Sequence, residues 1–319
     1  MKNVLVSGAT GFVGRALCVE LVQREYGVRA VVRDLSRSLC GHYELVKVSN
    51  IDSATDWSCP LHGVDAVVHL AARVHVMCDT ATAPLAEFRR VNVEGTLQLA
   101  RQAAAAGVRR FVYLSSIKVN GESTRLDQTF TADDIPAPQD PYGISKHEAE
   151  VGLRQLARET GLEVVIIRPP LIYGPGVKAN FLSMMRWLWC GIPLPLGAIH
   201  NKRSLVALDN LVDLIMTCLN HPAAANQTFL VSDGENLSTT ELLRRMGDAL
   251  GKTTRLIPLP VSWLQSGATM LGCRDMAQRL CESLQVDIAK TREVLGWTPP
   301  VSVDEGLRRV AGDFVRGQR

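Results

Sequence analysis

Short β-branched apolar runs alternate with longer segments whose apolar residues recur every three or four positions. This alternation fills the first half of the chain. Residues 3–8 (NVLVSG) read as a strand. Residues 12–24 (FVGRALCVELVQR) read as a helix with Phe12, Leu17, Leu21 and Val22 on its apolar side. Further strands are expected at 27–33, 43–48, 65–72, 109–116 and 162–170. A long helix is expected over 84–107, with Gly107 placed for a left-handed cap. Another begins in DPYGISKHEAE, residues 140–150. Strands apolar on both sides and separated by helices predict an α/β fold, a parallel sheet covered on both faces.

After Arg168 the pattern changes. Prolines cluster at 169, 170, 175, 193 and 195, and glycines at 174, 176, 191 and 197. Longer loops and shorter helices are expected there, in a smaller, irregular second domain. The expected division is 1–170 and, mainly, 171–319. The chain is expected to return to the first domain around 203–233, through RSLVALDNLVDLIMTCL and QTFLVSDG. LLRRMGDALG and VSWLQSGATMLG read as amphipathic or buried helices. No stretch approaches the run of about 18 apolar residues that a membrane span needs.

Charge and cysteines narrow the classes. A net charge of +3, with no basic run, argues against a nucleic-acid surface. The opening MKNVLVSG enters a strand-like run directly and carries no secretion-signal pattern, so a cytoplasmic protein is expected. None of the eight cysteines falls in a C-x-x-C pair, which argues against zinc and for reduced thiols. No metal is expected.

The candidate chemistry starts at SGATGFVG, which sets Gly8, Gly11 and Gly14 between a strand and a helix. Glycines there let the backbone approach a pyrophosphate, and the helix N-terminus binds the anion. A Rossmann-type, doubly wound sheet binding a dinucleotide is therefore expected. The ribose-reading position, about 20 residues past the glycine loop, falls on Arg33 and Asp34. Arginine suits a 2′-phosphate, so NADP(H) is favoured. The acid one position later leaves NAD(H) open.

Tyr142 and Lys146 stand four residues apart, on one face of the expected helix. An ammonium near a phenol favours the phenolate and is expected to lower its pKa. Such a pair moves protons to or from a hydroxyl or carbonyl oxygen.

The motifs GATGFVG, VVHLAA, VNVEGTL, YLSSIKVNGE, PYGISK, RPPLIYGPG, RSLVALDNLVD and LGWTPP span nearly the whole chain. Together they resemble the extended short-chain dehydrogenase/reductase family, the group of nucleotide-sugar epimerases, dehydratases and ketoreductases. The resemblance implies Tyr142 as acid/base, Lys146 as the group holding the nicotinamide ribose, and Ser116 as hydrogen-bond partner of the reacting oxygen. It implies a cofactor path along Thr10, Phe12, Val13, Asn50, Ile51, Leu70, Ala71, Ala72 and Pro169, with Asn92 as a structural asparagine near the site. His69 lies on that path and reads as a packed strand residue.

The resemblance also bears on the reaction. The family's sugar dehydratases carry an acidic pair after the serine, where this chain has Ile117 and Lys118. Dehydration is therefore not expected. The family's epimerases often carry a tyrosine before the next glycine, where this chain has Asn120 before Gly121. The IKVNGE variant resembles a branch tied to bacterial surface polysaccharide synthesis. It implies a reductase acting at C4 of a UDP-linked 4-keto-6-deoxy-N-acetylhexosamine, with a UDP-hexose or UDP-N-acetylhexosamine 4-epimerase as the alternative. For the UDP end, the resemblance implies Asn180, Phe181, Arg203 and Arg279, the last followed by Glu282. Trp187 and Trp189 could stack uracil but read as core at their helical spacing. A homodimer is the family's habit. Members that have lost catalysis usually lack the tyrosine or the lysine, and both are present here.

Overall fold

The computed structural model describes residues 2–35, 43–74, 84–270 and 274–318. The first unit runs β1 (Asn3–Ser7), α1 (Phe12–Gln23), β2 (Gly27–Val32), β3 (Glu44–Lys47), α2 (Ser58–Leu61) and β4 (Ala66–His69). It continues with α3 (Pro84–Arg89), a π-helical turn (Arg90–Gly95), α4 (Thr96–Ala105) and β5 (Arg110–Leu114). A 3₁₀ turn (Ile117–Val119), α5 (Pro141–Thr160) and β6 (Glu163–Arg168) follow. Then come β7 (Leu171–Tyr173), α6 (Ala179–Trp189), β8 (Arg203–Ala207), α7 (Leu208–Asn220), β9 (Thr228–Leu230) and β10 (Asn236–Leu237). The chain ends in α8 (Thr239–Ala249), α9 (Val261–Met270), α10 (Arg274–Cys281), α11 (Ala289–Leu295) and α12 (Val303–Arg316).

Seven parallel strands form one sheet in the order β3-β2-β1-β4-β5-β6-β9. This is the Rossmann-type α/β fold expected. Strand alternation sorts the core. Val4, Val6, Val68 and Val112 face one apolar layer with α1 and α7. Leu5, Val67, Phe111 and Tyr113 face the opposite layer with Trp57, Leu99 and Leu153. The strand order reverses between β1 and β4, so their C-terminal ends splay a crevice where open α/β sheets bind ligands.

Two expectations are corrected. The helix expected over 84–107 is interrupted by the π turn. There Gly95 presses on Ile51, whose side chain would lie 2.7 Å from a Cβ at that position. Residues 203–207 do not return to the large sheet. They form β8 of a separate three-stranded sheet, β10-β8-β7, while α7 packs on α1 and β9 pairs with β6.

The later part of the chain carries seven described α-helices, each shorter than α5. α6, α8 and α12 pack a second core around Tyr173, Phe181, Met184, Leu243 and Phe314. α8 takes in most of LLRRMGDALG and starts with a reciprocal Ser238–Glu241 cap. α9 covers most of VSWLQSGATMLG, yet its Trp263 is exposed. Among the described residues Cys18, Cys59, Cys190, Cys218 and Cys281 are free thiols, and no cluster of metal-binding side chains occurs. Cys40, Cys78 and Cys273 lie outside the described residues. No described helix is long and apolar enough to cross a membrane.

Candidate active site

The glycine turn closes on itself between β1 and α1. Gly11 N–H donates to the Gly8 carbonyl at 2.9 Å. Gly8 has φ +72°, and a Cβ there would lie 2.8 Å from the Ala71 nitrogen. A Cβ on Gly14 would lie 2.2 Å from the Gly8 oxygen. Only glycine lets α1 start this close to the loop. No side chain caps α1 and no acid sits in its first turn. Its first N–H groups are therefore left for an anion, and the positive helix end favours one. Thr10 and Phe12 are half-buried beside this turn, and Val13 is buried. The cradle fits a dinucleotide's pyrophosphate. Arg33 and Asp34 are both exposed just past the end of β2.

The ends of β1, β4 and β5 lie in register, with Ser7 opposite His69 and His69 opposite Tyr113. His69 is buried and bonded on both ring nitrogens, to Ser7 Oγ at 2.6 Å and Thr96 Oγ1 at 2.9 Å. Burial, then the nearby Lys146, lowers its pKa to about 3, so it packs as a neutral ring. Leu70, Ala71 and Ala72 leave the strand and line the loop after it. Asn92, in the π turn, bridges that loop to α5. Its Nδ2 donates to the Arg73 carbonyl (3.1 Å) and Ser145 Oγ (3.0 Å), and its Oδ1 accepts from Arg73 N (2.8 Å). A π turn at such a position is typical of functional sites. Ile51 packs under Gly95. Asn50 is exposed and uses its carbonyl to hold Thr55. Buried Pro169 accepts from Ile117 N at 3.0 Å, fixing the turn that follows Ser116.

α5 starts at Asp140, whose Oδ1 accepts from Gly143 N at 2.6 Å, with proline at its first position. Tyr142 in the first turn hydrogen-bonds Ser116 and lies edge-on to Phe88. Lys146 Nζ donates to the Leu114 carbonyl at 2.8 Å and sits 4.5 Å over the Tyr113 ring. Ser116, Tyr142 and Lys146 thus meet at the end of β5. Lys146 lies close enough to His69 to act on its charge, and Ser7 Oγ, bonded to His69, accepts weakly from Ala71 N (3.4 Å) against the glycine turn.

One electrostatic expectation is overturned. The Tyr142 phenol is not lowered. Burial, then Asp140, pushes it up to about 12, against a smaller effect from Ser116. Lys146 Nζ is 5.9 Å from the Tyr142 ring centre, and burial lowers its own pKa to about 7. At that distance the amine does not offset the loss of water around the phenol.

Beneath these residues is a buried network that the sequence motifs did not flag. Glu150 takes a two-point contact from Arg168 (2.9 and 2.6 Å) and bonds from Ser115 Oγ (2.6 Å) and Arg154 (2.9 Å). Arg168 also reaches Asn120 Oδ1 at 2.9 Å, and Asn120 Nδ2 donates to the Thr131 carbonyl. Glu150 lies one turn beyond Lys146, so the pair locks α5 to β5 and β6. This accounts for asparagine at 120: it accepts from a buried guanidinium. The recurrence of Lys146 and Glu150 at helical spacing was the only available signal.

The second unit brings its expected residues together less tightly. Arg203 Nη1 donates to the Arg279 and Glu282 carbonyls, at 2.6 and 3.1 Å, and burial lowers its pKa. Arg279 is exposed in the last turn of α10. Asn180 is exposed at the start of α6. Phe181 has its ring buried and stacked on Tyr173 at 5.5 Å, part of the second core. Trp187 and Trp189 also pack against that core.

Known proteins share this fold. The NAD dependent epimerase/dehydratase family matches residues 4–232. A UDP-glucose 4-epimerase of Vibrio cholerae is 48% identical over 317 residues, 99% of this chain and 96% of that protein. MoeE5 in complex with UDP-glucose and NAD superposes with a TM-score of 0.79 at 26% identity, covering 99% of this chain and 100% of that one. The UDP-glucuronic acid 4-epimerase of Bacillus cereus, in complex with NAD, has the same fold at a TM-score of 0.80 and 20% identity, covering 99% of this chain and 100% of that one. The chain belongs to the NAD dependent epimerase/dehydratase family.

Proposed function

We propose that this protein is a UDP-sugar 4-epimerase that works with NAD. The observation that carries the reading is the meeting of Ser116, Tyr142 and Lys146 beside an uncapped, glycine-built helix N-terminus. The 48% identity to a UDP-glucose 4-epimerase over 99% of the chain supports this substrate class. The cradle of Gly8, Gly11 and Gly14 would hold the pyrophosphate, and Lys146 the nicotinamide ribose. When bound, the nicotinamide supplies a hydride acceptor and donor. Tyr142 removes the proton from the C4 hydroxyl and returns it to the same oxygen. Ser116 donates a hydrogen bond to that oxygen and holds it against Tyr142. Asn180, Arg203 and Arg279 would face the UDP end. A cytoplasmic location and a homodimer are part of the same reading.

A second reading is favoured by one feature, the exposed Arg33 at the end of β2. Its fork suits a 2′-phosphate, and so an NADPH-dependent reductase of a UDP-linked 4-keto sugar, of the UDP-N-acetylquinovosamine dehydrogenase kind. Two incubations separate the readings. Interconversion of UDP-glucose and its C4 epimer without added cofactor supports the epimerase. Oxidation of NADPH by a UDP-linked 4-keto-6-deoxy sugar, with no interconversion, overturns it.

A further inference from the structure

The proton relay has a charged neighbour that the reaction does not use directly. Lys118 follows Ser116 by two residues, in the 3₁₀ turn after β5. Its Nζ meets Asp140 Oδ2 at 2.5 Å and Glu122 Oε1 at 3.0 Å. Asp140 is the N-cap of α5, two residues before Tyr142. The contact is built into the backbone as well. A Cβ on Gly143 would lie 2.9 Å from the Lys118 carbonyl and 3.1 Å from Asp140 Oδ1, so the first turn of α5 is pressed onto the 3₁₀ turn.

Among the described residues, other groups lie around Tyr142. On α5 these are Asp140 itself and Lys146, which bonds the Leu114 carbonyl. From β5, the neutral Tyr113 faces it. From α3, the Phe88 ring faces it, with the Arg73 guanidinium 5.5 Å over that ring. Further along the α3–α5 contact, Arg89 is paired with Glu148. Asp140 is the carboxylate that works against charge on the phenol. Lys118 is a cation bonded directly to that carboxylate.

We propose that Lys118 is a positioning residue that neutralises the Asp140 cap and thereby sets the pH at which Tyr142 transfers its proton. The couple explains how one carboxylate serves two ends. The cap needs an anion at the helix N-terminus, and the relay needs that anion's field reduced. A lysine meets both needs by staying on the outer oxygen, Oδ2, while Oδ1 keeps the Gly143 N–H.

The inference rests on Tyr142 being the acid/base of the proposed reaction. The test is the pH–rate profile of the whole enzyme with UDP-glucose, for four variants. Lys118→Met removes this cation from Asp140, and the limb assigned to Tyr142 moves to higher pH by about half a unit to one unit. Asp140→Asn removes the opposing charge, and the limb moves to lower pH by a similar amount. Lys118→Arg restores the profile, and the double variant Lys118→Met/Asp140→Asn lies near the parent. Damage to packing alone would lower the plateau without moving the limbs in opposite directions. A pH difference titration of phenolate absorbance, protein minus Tyr142→Phe, reads the same order without turnover. Limbs that stay put or move together overturn the inference. Undiminished turnover in Tyr142→Phe overturns the catalytic reading instead.

Discussion

The two halves of the candidate cleft are built differently. At the end of β5, Ser116, Tyr142 and Lys146 are brought together by the parallel sheet, by the cap of α5 and by the buried Glu150–Arg168 pair. In the second unit, Asn180, Arg203 and Arg279 sit on α6, β8 and α10, where Arg203 bonds the Arg279 and Glu282 carbonyls and the elements share one apolar core. The proposed chemistry half is held by charge inside a sheet. The proposed substrate half is held by a packed core, with Asn180 and Arg279 exposed and Arg203 half-buried. Proton transfer needs fixed geometry, whereas a grip on a diphosphate tolerates adjustment.

That contrast is most exposed by Tyr142→Phe. Turnover should fall about 10²–10⁴-fold while dinucleotide binding, read by fluorescence titration, is retained. Glu150→Ala should cost about 3–5 kcal/mol in urea unfolding, because it strands Arg168 inside the protein. An effect below about 1 kcal/mol would show that the pair does not lock α5.

Neighbours in the second unit should part company. Phe181→Ala should cost about 3 kcal/mol of stability through a cavity against Tyr173. Asn180→Ala should leave the melting temperature unchanged and raise the KM for the UDP-sugar roughly fivefold, the worth of one hydrogen bond.

The last effect is electrostatic and emerges only at acid pH. His69 is held neutral, with its pKa lowered from 6.5 to about 3, so the unfolded chain takes up a proton that the folded one refuses. The stability this gives is present above 6.5 and is lost as pH falls from there toward about 3. The fall in melting temperature over that window should be shallower in His69→Asn than in the parent. Equal slopes would mean that His69 is charged in the folded protein.

Much of this was readable along the chain, because periodicity and spacing are local. Val4, Leu5 and Val6 alternate between two apolar layers as a doubly covered strand requires. Gly8, Gly11 and Gly14 announce a turn that no larger residue fits. Tyr142 and Lys146 announce one face of a helix. Each property is decided within a few residues, so the fold class could be named in advance and a candidate catalytic set singled out for test.

Other features were settled only when distant segments met. Asn92 and Gly95 lie in a stretch patterned as plain helix, and contacts with Arg73, Ser145 and Ile51 go with a π turn there. Phe181 was sent to the core by Tyr173, and β8 to its own sheet by β7 and β10. The Tyr142 phenol was raised because burial and Asp140 outweigh an amine 5.9 Å from its ring. Ionisation depends on the water removed and the charges gathered around a group, and both are properties of the packed molecule.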